Sequence, residues 1–141
     1  IGTKSTSYAL NVTQTRLAEQ NGFTDALLLN RNNIILEGPT FSLGWIKDDT
    51  VYIPDLDLGI LDSITRQYIN LFGAKGQLNV IESRITADEI YEMDTVFVLS
   101  TAKHGKFVNK IDEKVYEQSP VLKLIQECFI EEIEAEKQIN N

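Results

Sequence analysis

Apolar residues recur along this chain at helical spacing in several places. The pattern predicts helices over about residues 7–21, 64–73 and 122–139, the last of them long and amphipathic. Asn21-Gly22 is typical of the end of the first helix, because glycine accepts the left-handed backbone that often follows a helix. Thr86 and Glu89 have the spacing of a capping box and predict a shorter helix that reaches about residue 93.

Short apolar runs between these segments predict strands. The runs at 26–29 and 34–36 flank the turn cluster Asn30-Arg31-Asn32-Asn33 and predict a hairpin. Further strands are predicted at residues 41–47, 51–53, 78–81, 95–100, 107–108 and 115–116, the last two forming a second hairpin around Asp112-Glu113. The resulting order predicts a mixed α/β domain of the α+β type, with a substantial antiparallel sheet rather than a doubly wound parallel one.

The composition is that of one folded domain over residues 1–141. Hydrophobic residues make up 43% of the chain and charged residues 24%, which excludes intrinsic disorder. No apolar run reaches the roughly 18 residues that a transmembrane helix needs. The net charge of -8 argues against non-specific binding to nucleic acid or to an anionic membrane, so we expect neither as a partner.

Cysteine and histidine are too scarce for a disulfide framework or a metal cluster. Cys128 is the only cysteine, which excludes an intrachain disulfide and favours a reducing compartment, so we expect a cytoplasmic protein. His104 is the only histidine, and we expect no metal site. The chain starts at Ile1 without a methionine or a signal-peptide pattern, and we therefore expect it to begin inside a larger gene product.

Two segments have the chemistry of an anion site at the end of an element. In the segment from Leu61 to Arg66, Asp62 and Ser63 can cap a helix whose first N–H groups lack partners, and Thr65 adds a hydroxyl. In the second segment, the apolar strand ending at Leu99 stops at hydroxyl-bearing and small residues, a common place for a ligand. The alternatives are an ordinary capped helix and a plain strand-to-loop exit.

Two single residues are further candidates. Glu37 follows an apolar strand and precedes Gly38-Pro39, so its carboxylate is expected to be partly buried and to need a cationic partner. Lys4 lies just before the first predicted helix among hydroxyl residues. The alternatives are an exposed turn carboxylate and a solvated lysine near a chain end. No dinucleotide-binding, P-loop, nucleophile-elbow or zinc-protease motif is present.

The order and spacing of five segments resemble the fold-type IV pyridoxal-phosphate enzymes, which include branched-chain aminotransferases, D-amino-acid aminotransferases and aminodeoxychorismate lyases. The segments are residues 4–8, 26–29, 36–38, 59–66 and 96–102. The resemblance implies a largely antiparallel sheet or pseudo-barrel with flanking helices, pyridoxal 5′-phosphate as the cofactor, amino acids and 2-oxo acids as substrates, and a homodimer.

The resemblance also implies roles around the cofactor ring. Lys4 looks like the lysine that bonds covalently to the cofactor aldehyde and then moves the substrate's Cα proton. Glu37 is similar to the glutamate that pairs with the pyridine nitrogen and keeps it protonated. Tyr8 looks like the tyrosine near the phenolic oxygen of the cofactor, and Leu61 looks like the residue that packs on the ring.

The phosphate and the substrate carboxylate are assigned in the same way. Ile64 and Thr65 match the phosphate-binding pair at a helix N-terminus, and Thr101 matches a second phosphate contact. The backbone after Thr101, including Ala102, resembles the part that meets a substrate carboxylate. The chain departs from the family at Ser63, where many relatives have glycine, and at Lys103-His104, where they have smaller residues.

Length is the larger departure. Family members carry an N-terminal lobe ahead of the lysine, and that lobe supplies an arginine to the cofactor phosphate. This chain resembles the C-terminal, cofactor-binding lobe alone. We therefore expect one lobe of an aminotransferase of branched-chain or D-amino-acid type, inactive by itself. The alternatives are an aminodeoxychorismate lyase and a non-catalytic fold fragment or interaction module.

Overall fold

The centre of the structure is a mixed five-stranded sheet. It is seen in a computed structural model, which describes residues 16, 17, 19, 20 and 22–140. The described strands are β1 (Leu28–Leu29), β2 (Ile35–Glu37), β3 (Ser42–Lys47), β4 (Thr50–Pro54), β5 (Val80–Ser83), β6 (Thr95–Ser100), β7 (Lys103–Val108), β8 (Lys110–Ile111) and β9 (Lys114–Val115). The long helices are α1 (Ile64–Ala74) and α2 (Pro120–Asn140). Residues 16, 17, 19 and 20 are also helical, and most of the helix predicted over 7–21 lies outside the described residues.

The strands of this sheet follow the order β5-β4-β3-β6-β7. Every neighbouring pair is antiparallel except β4 and β5, which are parallel. Two antiparallel ribbons, β1-β2 and β8-β9, lie outside it. The prediction of a mixed α+β fold with a largely antiparallel sheet is therefore confirmed.

Both faces of the sheet are covered, because side chains alternate between them along each strand. One face packs against α1 and α2 through Ile46, Val51, Ile53, Phe97 and Leu99 of the sheet and Ile69, Phe72, Leu122, Ile125 and Phe129 of the helices. The other face forms a second cluster, made of Ile35, Leu43, Trp45, Ile85, Ile90, Val96, Val98 and Tyr116. Because both faces are buried, β3 and β6 have nearly continuous apolar sequences.

The ends of the helices follow their local sequences. Ser63 caps α1, since its hydroxyl accepts the N–H of Arg66 at 3.2 Å. The long helix α2 starts at Pro120, two residues before the predicted start. Proline suits the first helical position, and the Ser119 hydroxyl accepts the N–H of Val121 at 3.2 Å.

The helix predicted over 86–93 is wrong, although its capping box forms. The hydroxyl of Thr86 accepts the Glu89 N–H at 3.2 Å, and the Glu89 carboxylate accepts the Thr86 N–H at 3.1 Å. Only a single 3-10 turn, Glu89–Glu92, follows. The chain is already extended at Met93, because β6 pairs with β3 from Thr95 onward.

The second predicted hairpin is displaced. Residues 107–108 are the end of the longer strand β7, which pairs with β6. The hairpin around Asp112 and Glu113 is formed by β8 and β9 instead. The strand predicted at 78–81 begins two residues later, since the turn after α1 continues to Leu78, whose N–H bonds to the Phe72 carbonyl at 3.4 Å.

A search of the described helices for a membrane span finds none that is both long and apolar enough.

One glycine is required by packing inside the sheet. Gly44 of β3 lies opposite Phe97 of β6, and a Cβ added at Gly44 would lie 2.3 Å from the end of the Phe97 ring. Neither strand can move away, because each is hydrogen-bonded on both sides. The phenyl ring therefore occupies the space that any other residue at position 44 would need.

We expect Gly44→Ala to lower the free energy of unfolding by about 1–3 kcal/mol, the usual cost of overpacking a core. Urea denaturation of the chain measures this loss. Phe97→Leu is the matched second change, because it vacates part of the ring's space. The double variant should lose less stability than the sum of the two single losses, and strict additivity would contradict the steric explanation.

Candidate active site

A cavity of about 780 Å³ lies where the β2–β3 turn, the loop before α1 and the β6–β7 turn meet. The sequence-predicted residues Glu37, Leu61, Ile64, Thr65 and Thr101 all line this cavity, although they come from three separate parts of the chain. Ala102 follows Thr101 in the turn between β6 and β7 but is not a lining residue. The predicted residues Lys4 and Tyr8 lie outside the described residues.

The N-terminus of α1 opens into the cavity. The Arg66 N–H is taken by the Ser63 hydroxyl and the Gln67 N–H by the Ser63 carbonyl, at 3.2 and 3.0 Å. The N–H groups of Ile64 and Thr65 have no acceptor within the helix. Two backbone donors and the positive end of the helix dipole therefore face the same space as the Thr65 hydroxyl, an arrangement that binds anions.

Hydroxyl groups connect this helix start to the sheet. The Oγ of Ser42, the first residue of β3, lies 2.9 Å from the Oγ of Ser63, and the Ser63 Oγ lies 3.3 Å from the Thr65 Oγ1. Ser42 and Thr65 are 7% and 6% exposed. The sequence indicated Ser63 and Thr65 but not Ser42, because nothing local brings position 42 beside a helix that starts 22 residues later.

Glu37 lies at the end of β2 and is half-buried. Burial raises the pKa of its carboxyl group, and a hydrogen bond from the Leu61 backbone N–H partly opposes that rise. No described residue forms a salt bridge with it. The carboxylate is thus held beside the loop that leads to α1, and it lacks the cationic partner that the sequence predicts for it.

The turn after Glu37 depends on a close contact. The Gly38 N–H donates to the Phe41 carbonyl at 2.9 Å, and a Cβ at Gly38 would lie 2.1 Å from the Phe41 ring. The ring therefore lies directly against the glycine backbone. This packing turns the chain from β2 into β3 and leaves Glu37 at the cavity wall.

Arg66 anchors the start of α1 from behind. It is 1% exposed, and its guanidinium donates to the Asp62 carboxylate at 3.1 Å, to the Pro54 carbonyl at 2.8 Å and to the Glu82 carboxylate. These partners belong to the loop before α1, to β4 and to β5. The buried charge thus joins the helix start to two strands. Its hydrogen bonds go to these partners and not to the cavity.

Helix α2 supplies a wall that the sequence patterns did not reveal as part of the site. Phe129, Glu132 and Ile133 line the cavity together with Tyr68 and His104. The His104 ring stacks on Phe129 with centroids 5.0 Å apart and planes inclined by 15°. The sequence signal for this wall was only the apolar spacing of α2, which also fits ordinary core packing.

Two contacts hold α2 against α1 beside this wall. The Tyr68 hydroxyl donates to the Glu136 carboxylate, and the Lys75 ammonium lies 3.3 Å from the Glu132 carboxylate. Both contacts are exposed, so their contribution to stability is small. The position of the wall is set mainly by the apolar packing of Phe129 against Phe72 of α1.

The cavity offers two kinds of polar group. The N–H groups and hydroxyls at α1 suit an anion, and the Glu37 carboxylate suits a cation. Leu61 and Ile64, which are 52% and 71% exposed, also line the cavity and add apolar surface. Among the described residues, no three His, Cys, Asp or Glu side chains are grouped as a metal site.

Comparison with known proteins identifies the family of this chain. The family model for amino-transferase class IV matches residues 1–111. A probable branched-chain-amino-acid aminotransferase from Rickettsia bellii is 33% identical over 105 residues, which are 74% of this chain and 36% of that protein. The chain thus spans little more than a third of that curated relative.

Solved structures show the same fold. A branched-chain amino acid aminotransferase from Escherichia coli superposes with a TM-score of 0.81 at 26% identity, covering 87% of this chain and 42% of that one. A protein assigned as a 4-amino-4-deoxychorismate lyase from Legionella pneumophila gives 0.83 at 25% identity, covering 88% and 47%. With the family model matching most of its length, the chain belongs to the class IV aminotransferase family.

Proposed function

We propose that this chain is the C-terminal, cofactor-binding lobe of a pyridoxal-phosphate-dependent aminotransferase of branched-chain type. The observation that carries the proposal is that one cavity is lined both by groups suited to an anion and by a carboxylate suited to a cation. The N-terminus of α1 faces it with free N–H groups, and Glu37 lines it with an unpaired carboxylate. The Leu61 N–H ties the carboxylate to the loop that starts the helix, which sets the distance between the two sites.

The α1 end of the cavity is the proposed phosphate site. Ile64 and Thr65 supply backbone N–H groups, and the Thr65 and Thr101 hydroxyls line the same space. Asp62, Glu37 and Glu132 also line the cavity, so its described side chains carry more negative than positive charge. A phosphate there depends on the helix terminus and the hydroxyls. The family's lobe ahead of Lys4 supplies the arginine.

The Glu37 end is the proposed site of the pyridine nitrogen. The carboxylate is held in a partly desolvated position by the Leu61 N–H, and a protonated ring nitrogen is the cationic partner it lacks. The cofactor, when bound, supplies an electron-accepting ring that stabilises a substrate carbanion. The part of Glu37 is to keep a proton on the ring nitrogen so that the ring can accept those electrons.

The remaining roles follow from the family match. We propose that Lys4 bonds to the cofactor aldehyde and moves the substrate's Cα proton, that Tyr8 lies near the phenolic oxygen, and that Leu61 packs on the ring. Thr101 and Ala102 are proposed to meet the substrate carboxylate through the β6–β7 turn, which borders the cavity.

Amino transfer is proposed over the lyase reaction because the curated relatives of the chain are branched-chain aminotransferases. The chain matches only part of each of them, and we propose that the complete enzyme also has an N-terminal lobe and works as a homodimer. The exposed Leu61 and Ile64 side chains are apolar surface that this lobe and the bound cofactor would cover. By itself, the chain should bind the cofactor weakly and be inactive.

The Lys4 assignment predicts a specific covalent label. Pyridoxal 5′-phosphate is added to the complete enzyme proposed above, the covalent bond to lysine is reduced with borohydride, and the labelled peptide is mapped. We expect the label on Lys4 and its loss in Lys4→Ala. A label placed mainly on Lys47 or Lys103 would contradict the assignment.

The raised pKa of Glu37 predicts a pH-dependent effect on stability. Because the folded state holds this proton more tightly than the unfolded state, the folded chain binds more protons as Glu37 titrates. The free energy of unfolding contributed by Glu37 is therefore highest below its ordinary pKa and falls as pH rises through the raised folded pKa. Glu37→Gln removes this fall, so the variant should gain stability relative to the natural chain as pH rises above 4.5, the ordinary pKa of the group.

Urea denaturation at several pH values measures this difference. Glu113→Gln is the control, because Glu113 is an exposed carboxylate in the β8–β9 turn. Parallel stability curves for Glu37→Gln and the natural chain would show that Glu37 is an ordinary turn residue. Under the proposed function, the same variant also binds pyridoxal 5′-phosphate more weakly at pH 7.

A further inference from the structure

We propose that the hydroxyls of Ser42, Ser63 and Thr65 form a hydroxyl line, in which each is hydrogen-bonded to the next. This line presents a single O–H donor to the phosphate at the start of α1. This inference rests on the proposed function, since it concerns the phosphate end of the same cavity. Its new content is that a residue of the sheet, Ser42, takes part in binding through two other hydroxyls. Ser42 and Ser63 are thus positioning residues for the donor at Thr65.

The three hydroxyls form a continuous line into the cavity. Ser42 Oγ and Ser63 Oγ are 2.9 Å apart, and Ser63 Oγ and Thr65 Oγ1 are 3.3 Å apart. All three residues line the cavity. Ser42 and Thr65 are almost fully buried, so little of either residue is open to solvent.

Counting protons shows that both hydrogen bonds of the line must run in the same direction. Each hydroxyl has one proton and two lone pairs, so three hydroxyls joined by two hydrogen bonds have one proton left over. The middle hydroxyl, Ser63, already accepts the Arg66 N–H. It can accept only one more bond, so one of its neighbours must donate to it and it must donate to the other.

The remaining proton therefore lies at one end of the line. Either Ser42 donates to Ser63 and Ser63 to Thr65, which turns the Thr65 proton towards the cavity, or the whole order reverses and the proton leaves from Ser42. An anion at the start of α1 selects the first order, because Thr65 is in the first turn of that helix. Each bond in such a line polarises the next, which strengthens the terminal donor.

The same contacts have a simpler explanation, which the experiment must separate from this one. The Ser42–Ser63 bond could serve only to tie β3 to the helix start. A structural tie would affect every ligand of the cavity, and its loss would add to the loss of Thr65. A hydroxyl line affects only ligands that carry the phosphate, and it has no effect once its last donor is gone.

The experiment measures the affinity of the chain for pyridoxal 5′-phosphate and for pyridoxal by calorimetric titration, with inorganic phosphate as a competitor. The ratio of the two affinities is the advantage given by the phosphate. Thr65→Val should reduce that advantage about 10- to 100-fold, the cost of losing one hydrogen bond to a charged group. Ser42→Ala should reduce it about two- to threefold and leave pyridoxal binding unchanged.

The decisive measurement is the double variant. In the Thr65→Val background, Ser42→Ala should change the advantage no further. Ser42→Cys is the second variant should Ser42→Ala fail to fold, since a thiol keeps the volume but is a weak donor and acceptor. Ser119→Ala, which removes the cap of α2 away from the cavity, controls for a general loss of stability.

The outcomes separate this inference from the proposed function. If the natural chain binds pyridoxal 5′-phosphate no more tightly than pyridoxal, the proposed phosphate site is wrong, and so is the hydroxyl line. A second result would keep the phosphate site but overturn the hydroxyl line. In it, Thr65→Val lowers the advantage, but Ser42→Ala either has no effect or lowers the advantage equally in the natural chain and in Thr65→Val.

Discussion

The buried guanidinium of Arg66 is the interaction on which the geometry of the cavity depends. A charge that is 1% exposed needs partners, and Arg66 finds them in the Asp62 carboxylate, the Pro54 carbonyl and the Glu82 carboxylate. These partners come from the helix approach, from β4 and from β5. Removing the arginine would leave the helix start without its attachment to β4 and β5. The N–H groups of Ile64 and Thr65 can face a fixed point because this attachment places them there.

From this anchored helix start, the cavity is built by short contacts between distant segments. The Leu61 N–H holds the Glu37 carboxylate, and the Ser63 hydroxyl reaches Ser42 across 2.9 Å. On the far side, α2 brings Phe129 against His104. Each contact uses a loop or an element end, while the sheet behind them supplies the apolar packing. The chemistry is thus carried by loops that a rigid core positions.

The electrostatics of the cavity explain why the helix terminus matters here. The chain carries a net charge of -8, and the one buried arginine beside the cavity is directed towards Asp62 and Glu82. Backbone N–H groups and hydroxyls attract a phosphate without adding a titratable charge. The same negative surroundings favour a cation at Glu37. One cavity therefore offers a place for an anion at the start of α1 and for a cation at Glu37.

Much of this could be read from the sequence. Apolar spacing predicted α1, α2, β3 and β6, because buried positions repeat with the period of a helix or a strand and are visible in the local sequence. The order of these elements predicted the antiparallel character of the sheet. The cap at Ser63 was also predicted, since it depends on residues within one helical turn, whereas anion binding at Thr65 stays a prediction. The match to the family gave Glu37, Leu61 and Thr101, which the structure brings to the same cavity. The roles assigned to Lys4 and Tyr8 stay predictions.

Other features were decided only by tertiary structure, because they depend on contacts between segments far apart in the chain. Thr86 and Glu89 form their capping box, but pairing of β6 with β3 draws the chain out of the helix after one turn. Gly44 is required by Phe97 on another strand. Ser42 meets Ser63 across 21 residues, and no local pattern marks either as the other's partner. Sequence alone determined which segments could be helix, strand or cap. Packing of the sheet against its helices decided which side chains share the cavity, since that depends on where elements cross and not on what each prefers alone.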